Sequence, residues 1–152
     1  MRINCKNKPF FLLNLILTLI LSFGIKGDCK ASTKADIRPP SAYDTNISYN
    51  DALRIGKPIA IDFYADWCPH CQAFAPILYD IRREYESKYT FVTVNGENPQ
   101  NASLQKAFNV NSYPSLFLVN PKTSQKIFVD QNMYTNPIAL RREFDTFYNS
   151  NK

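Results

Sequence analysis

The chain has 152 residues, with 18 Lys and Arg against 13 Asp and Glu. That length holds one domain plus a targeting segment. Five of the basic residues and one acid fall in residues 1–31, so the remainder carries 13 basic and 12 acidic side chains, a balance of +1. No basic stripe of the kind that binds nucleic acid is left. Arg82-Arg83 and Arg141-Arg142 read as solvated helix faces.

Residues 1–31 have the pattern of a secretory signal peptide. Arg2, Lys6 and Lys8 form a positive start, and Phe10 to Ile25 form an apolar stretch short for a full bilayer span. Cleavage is expected after Ala31, or after Gly24. An uncleaved signal anchor is the competing reading, and only that reading puts the protein at a membrane. Residues 32–46 are polar, contain Pro39-Pro40 and read as an extended tether. Residues 47–152 form the domain.

Ser48 followed by Asp51 predicts the start of a short helix that ends at Gly56. Pro58 to Ala65 is a nearly continuous apolar run and predicts a buried central strand, interrupted by Asp62. From Pro69 to about Lys88 the pattern is helical, with Phe74, Ile77, Leu78, Ile81 and Tyr85 on one face and Pro76 inside. Thr90 to Val94 predicts a strand. Asn98-Pro99 predicts a helix start, with Leu104, Ala107 and Phe108 on the apolar side. Ser115 to Val119 predicts a second buried strand, and Lys126 to Val129 an edge strand after a turn. Pro137 opens a final amphipathic helix. The order α, β, α, β, α, β, β, α implies an α/β fold, a mixed central sheet with helices on both faces.

The segment Trp67-Cys68-Pro69-His70-Cys71 carries the chemistry. A strand leading into a helix start places Cys68 where unpaired N–H groups and the positive end of the helix dipole converge. A thiolate is stabilised there, and the thiolate attacks disulfides. Cys71 lies one turn on, within reach of Cys68. Cys5 and Cys29 fall in the targeting segment, so the domain keeps only this pair. Structural zinc would need four ligands, and the domain offers two thiols and the lone His70. Covalent haem needs His directly after the second Cys, where Gln72 stands. The pair therefore reads as a dithiol/disulfide redox site with no metal and no cofactor. Cys68 is expected as the nucleophile and Cys71 as the more buried resolving thiol. His70 is expected to favour the Cys68 thiolate, which stabilises the reduced form. Pro69 holds the turn and removes one donor. Asp62, flanked by Ile61 and Phe63, is expected to be buried, with a raised pKa, and to take the Cys71 proton.

With these residues in hand, the chain resembles the thioredoxin superfamily over about residues 48–150. Phe63-Tyr64-Ala65-Asp66-Trp67-Cys68-Pro69-His70-Cys71 is similar to the active-site segment. Pro76 matches the helix-interior proline and Asp62 the buried acid. Val110-Asn111-Ser112-Tyr113-Pro114-Ser115 is similar to the cis-proline segment. Phe63-Tyr64-Ala65 with Cys-x-His-Cys and Ala75-Pro76 is also similar to protein disulfide isomerase domains. The Pro69-His70 pair resembles that of the periplasmic Dsb-type oxidants. Thr93 stands near the place of the lysine that partners the buried acid in thioredoxins. The resemblance implies a thioredoxin fold, a cis peptide before Pro114 facing the dithiol, backbone groups of Tyr113 that pair with an extended substrate, and a Trp67 that shields the cysteines.

The expected function is exported thiol–disulfide exchange with cysteine-containing protein substrates, leaning to oxidation or isomerisation, in a periplasm or cell envelope. A membrane or soluble redox partner is implied. The rival readings are an envelope reductant, for instance for apocytochrome thiols, and a redox-inactive binding module.

Overall fold

The computed structural model describes residues 38–151; the segment expected to be a signal peptide, its expected cleavage sites and the first part of the expected tether lie outside them. Four strands and four α-helices alternate as the sequence predicts. They are α1 (Tyr49–Ile55), β1 (Ile59–Tyr64), α2 (Pro69–Tyr85), β2 (Thr90–Asn95), α3 (Ala102–Phe108), β3 (Ser115–Val119), β4 (Lys126–Phe128) and α4 (Pro137–Ser150).

Local chemistry sets the element ends. The Ser48 hydroxyl accepts the Asp51 N–H at 3.1 Å and donates to its carboxylate at 2.6 Å. That pairing satisfies a donor the first turn of α1 would leave open. Gly56 ends α1 in the left-handed region, φ 76°, where a side chain would be strained. Asn136 caps α4 by accepting the Ala139 N–H at 3.1 Å, with Pro137 as the first helical residue. Asn98 caps a 3-10 turn, Pro99–Asn101, before α3 begins at Ala102. The helix expected to reach Lys88 ends at Tyr85, and the edge strand stops at Phe128.

The sheet order is β2-β1-β3-β4. β1 and β2 run parallel, and β3 and β4 pair antiparallel to their neighbours. β1 is therefore central and all six of its residues are buried. Side chains alternate between its two faces. Ile59, Ile61 and Phe63 pack with Ala52 of α1 and Phe108 of α3. Ala60 packs on the other side with Phe74, Leu78 and Ile81 of α2 and Leu140, Phe144 and Phe147 of α4. Asp62 shares the face of Ala60 and so looks toward α2. Phe144 is fully buried and contacts the rings of Tyr85, Tyr89 and Phe91. Truncating such a ring to Ala costs about 3–5 kcal/mol.

Residues 40–45 are not extended away from the domain. Pro40–Tyr43 form a 3-10 turn with Pro40 buried. The Ser41 N–H donates to Asp66 at 2.9 Å, Arg82 donates to the Tyr43 carbonyl at 2.9 Å, and the Thr45 N–H donates to the Thr93 hydroxyl at 3.0 Å. Part of the stretch expected as a tether is thus laid over α2 and the edge of β2. A composition rich in polar residues and proline gave no sign of those partners.

Candidate active site

Cys68 is the N-cap of α2, and Pro69 occupies the first helical position, where a missing N–H is no loss. The strand-to-helix junction is held by a Cys68 N–H bond to the Ala65 carbonyl at 3.2 Å. Gln72 donates its side-chain amide to the Asp66 carbonyl at 2.7 Å and fixes the outside of the same turn. The Cys68 sulfur accepts the Cys71 N–H at 3.3 Å, as a capping side chain does. Its own S–H points to the Tyr113 carbonyl at 3.5 Å. Both thiols are free. Cys68 is 4 % exposed and Cys71 1 %, so Cys71 is the deeper one by a narrow margin. They form a small cluster with Tyr64 and Ala65, against which Tyr113 packs.

Tyr113-Pro114 is a cis peptide, at the position the resemblance implied. Pro114 is buried, and its carbonyl accepts the Gln131 side-chain amide at 2.8 Å. The Tyr113 hydroxyl donates to the Gln105 side-chain carbonyl, and Gln105 also donates to the Gly96 carbonyl at 3.0 Å. Gly96 is required by this arrangement. A Cβ there would overlap the Tyr113 ring and hydroxyl. Gln72, Gln105 and Gln131 all brace the site. Sequence reasoning missed those bracing roles, because a glutamine on a helix or a loop has no spacing that marks its partner.

Trp67 is 66 % exposed. It is neither core nor a cover closed over the sulfurs. It lines an open cleft of about 430 Å3 with Cys68, Pro69, His70 and residues 110–113. His70 is exposed and borders a second cleft of about 260 Å3, whose lining includes Phe74, Tyr113, Pro114 and Tyr134. The His70 imidazole makes no hydrogen bond among the described residues, so any influence on Cys68 is through charge at a distance.

Asp62 is 4 % exposed and its Oδ1 has no hydrogen-bond partner among the described residues. Burial without such a partner penalises the charged form. The carboxyl is pushed up to about 7 from its ordinary 3.8. Cys71 is pushed well up, first by burial, then by its hydrogen bond with Cys68, with the Asp62 charge adding to both. The Asp62 charge adds to the proton affinity of the Cys71 thiol, while the Asp62 shift itself comes from burial. The position beside Asp62 on β2 is Thr93, its register partner.

A model of the thioredoxin family matches residues 41–138. The chain belongs to the thioredoxin family. It is 38% identical over 68 residues to the chloroplastic thioredoxin-like protein HCF164 of Arabidopsis thaliana, covering 45% of this chain and 26% of that one. It is 26% identical over 106 residues to the thiol:disulfide interchange protein TxlA of Synechococcus elongatus, covering 70% and 53%. The thioredoxin domain thus spans between a quarter and about half the length of these curated relatives. Its fold is shared with a solved thioredoxin-like protein, Trxlp from Edwardsiella tarda, at a TM-score of 0.51 and 24% identity over 60% of this chain and 85% of that one.

Proposed function

We propose that this protein is an exported thiol–disulfide oxidoreductase that exchanges disulfides with cysteine-containing proteins, as an oxidant or isomerase. The observation that carries the reading is the placement of Cys68: an N-capping sulfur bonded to the Cys71 N–H and facing the Tyr113 carbonyl. In the reducing direction the Cys68 thiolate attacks a substrate disulfide and releases one substrate thiolate. Cys71 gives its proton to Asp62 and attacks Cys68. The Cys68–Cys71 disulfide forms, and the second substrate thiolate leaves. Oxidation of a substrate is the same sequence reversed. The extended substrate pairs with backbone of Tyr113, and Trp67 and His70 border the cleft it enters.

Export is supported by the N-terminal basic start and apolar stretch. Among the described residues no helix is long and apolar enough to cross a membrane. A separate redox partner, in the membrane or soluble, would reset the dithiol. The reading of the oxidising direction rests on the Pro69-His70 dipeptide, whose imidazole would favour the Cys68 thiolate of the reduced form. The deciding experiment is insulin reduction and refolding of a reduced, scrambled protein, with the native chain and with Cys68 and Cys71 both changed to Ser. Native turnover that disappears in the double variant is expected. Equal behaviour of the two would leave a binding module only.

A further inference from the structure

We propose that Thr93 and Asp44 form the exit through which a proton held by Asp62 reaches solvent. This rests on the reading of Asp62 as acceptor of the Cys71 proton. Asp62 and Thr93 are opposite one another on adjacent parallel strands, so their side chains stand on one face of the sheet. Both line a cavity of about 20 Å3 that is walled by α2 and roofed by Pro40, Tyr43 and Thr45. That volume fits about one water; the wall is mostly apolar, and the unbonded Asp62 carboxylate oxygen and the Thr93 hydroxyl are the polar groups a water there would bridge.

The hydrogen bonds at Thr93 have a direction. Its hydroxyl donates outward to the Asp44 carboxylate, which is exposed. Its oxygen accepts the Thr45 N–H at 3.0 Å and lies 3.4 Å from the Thr45 hydroxyl oxygen. With its one hydrogen on Asp44, Thr93 accepts from Thr45 twice, and its second lone pair opens to a donor in the cavity when the Thr45 hydroxyl turns away from that long contact. The other charged and titratable groups around the cavity serve less well. Arg82 has only donors and is bonded to the Tyr43 carbonyl. Tyr64 is pushed up by burial and by the carboxylates of Asp44, Asp66 and Asp62. The Tyr43 and Tyr79 rings pack on each other 5.6 Å apart. Thr93 is the lining hydroxyl that the described residues connect to a surface carboxylate.

The proton balance closes. Cys71 passes its proton to the Asp62 carboxylate as its sulfur attacks Cys68. The Asp62 carboxyl then passes a proton to the cavity water. That water passes one to the Thr93 oxygen while the Thr93 hydroxyl proton moves to Asp44, and Asp44 releases it to bulk. No electrons move along this route. The segment 40–45 covers the cavity on the side where Thr93 meets Thr45 and Asp44, so Thr93 joins the cavity to the surface there.

The test follows disulfide formation in the reduced full chain at saturating oxidised peptide, read by the fluorescence of the single tryptophan, Trp67. Thr93→Val is expected to slow this step roughly three- to tenfold and to raise its solvent deuterium isotope effect. Thr93→Ser restores both, Asp44→Asn shows a smaller change in the same sense, and Tyr64→Phe leaves both at the native level. Thr93→Val at native speed while Asp62→Asn is slow would overturn the exit and leave the Asp62 reading standing. Asp62→Asn at native speed would overturn both. A slowing by Tyr64→Phe equal to that of Thr93→Val would also overturn the route.

Discussion

The sulfur of Cys68 accepts the backbone N–H of Cys71 at 3.3 Å, so the sulfur proposed to attack substrate is hydrogen-bonded to the backbone of the residue proposed to release that substrate from it. The bond strengthens when Cys68 ionises, because hydrogen bonds to an ionised acceptor are shorter and stronger. On ionisation the S–H contact to the Tyr113 carbonyl is lost, which frees the sulfur for a substrate. The division of labour follows. Cys68→Ser is expected to abolish turnover, and Cys71→Ser to accumulate mixed disulfides with substrate. Mass spectrometry with and without reductant checks this. Adducts on Cys71 in Cys68→Ser, with none in Cys71→Ser, would reverse the assignment.

Asp62 links the site to stability. Its folded value of about 7 is above the ordinary 3.8 that it has when unfolded. Below about pH 4 both states hold the proton and Asp62 contributes nothing. Between pH 4 and 7 the folded state binds more protons, so folding stability falls as pH rises, and the loss levels off above 7. The gap corresponds to an upper bound of about 4 kcal/mol. Asp62→Asn has no charge to bury. Denaturant titrations are expected to show its stability relative to native rising from pH 4 to 8. A constant difference would remove the carboxylate from the balance.

Pro69-His70 is proposed to set the poise of the pair. Replacing the dipeptide by Gly-Pro removes the imidazole while keeping the helix start. The Cys68 thiolate, present only in the reduced form, loses a favourable charge. A ten- to hundredfold loss lowers the reduction potential by about 30–60 mV, since a tenfold change for two electrons is ~30 mV. Equilibration with glutathione measures it. A potential that stays put or rises would favour the reductant reading.

Gly96 makes room for the Tyr113 ring at the proposed substrate groove. In Gly96→Ala the new methyl and the Tyr113 hydroxyl cannot share the space, so the ring must leave Gln105. The expected result is a raised KM for protein disulfides and a loss of about 1–3 kcal/mol in stability, as for other overpacked sites. Attack on a small aromatic disulfide, which needs no groove, stays near native. Unchanged KM would show that the Tyr113 anchor does not position substrate.

The sequence by itself determined the element order, the caps at Ser48 and Asn98, the start of the last helix at Pro137, and the place of the Cys68 and Cys71 pair at a strand-to-helix junction. Those follow from local rules: hydrophobic period, capping chemistry and the spacing of Cys68 and Cys71. The sequence also placed Asp62 inside, because a lone acid in the apolar run Ile59–Tyr64 has no solvent face once that strand is central. Tertiary structure alone decided what lies beside these residues. Thr93 meets Asp62 through parallel register across 31 positions, and no local pattern encodes a register between strands joined by a helix. The roof of residues 40–45 reads as a tether because its hydrogen-bond partners, Asp66, Arg82 and Thr93, are 25 to 48 positions away. Trp67 could not be placed from its neighbours, since exposure at a strand-to-helix turn depends on what packs over it, and nothing among the described residues does so closely.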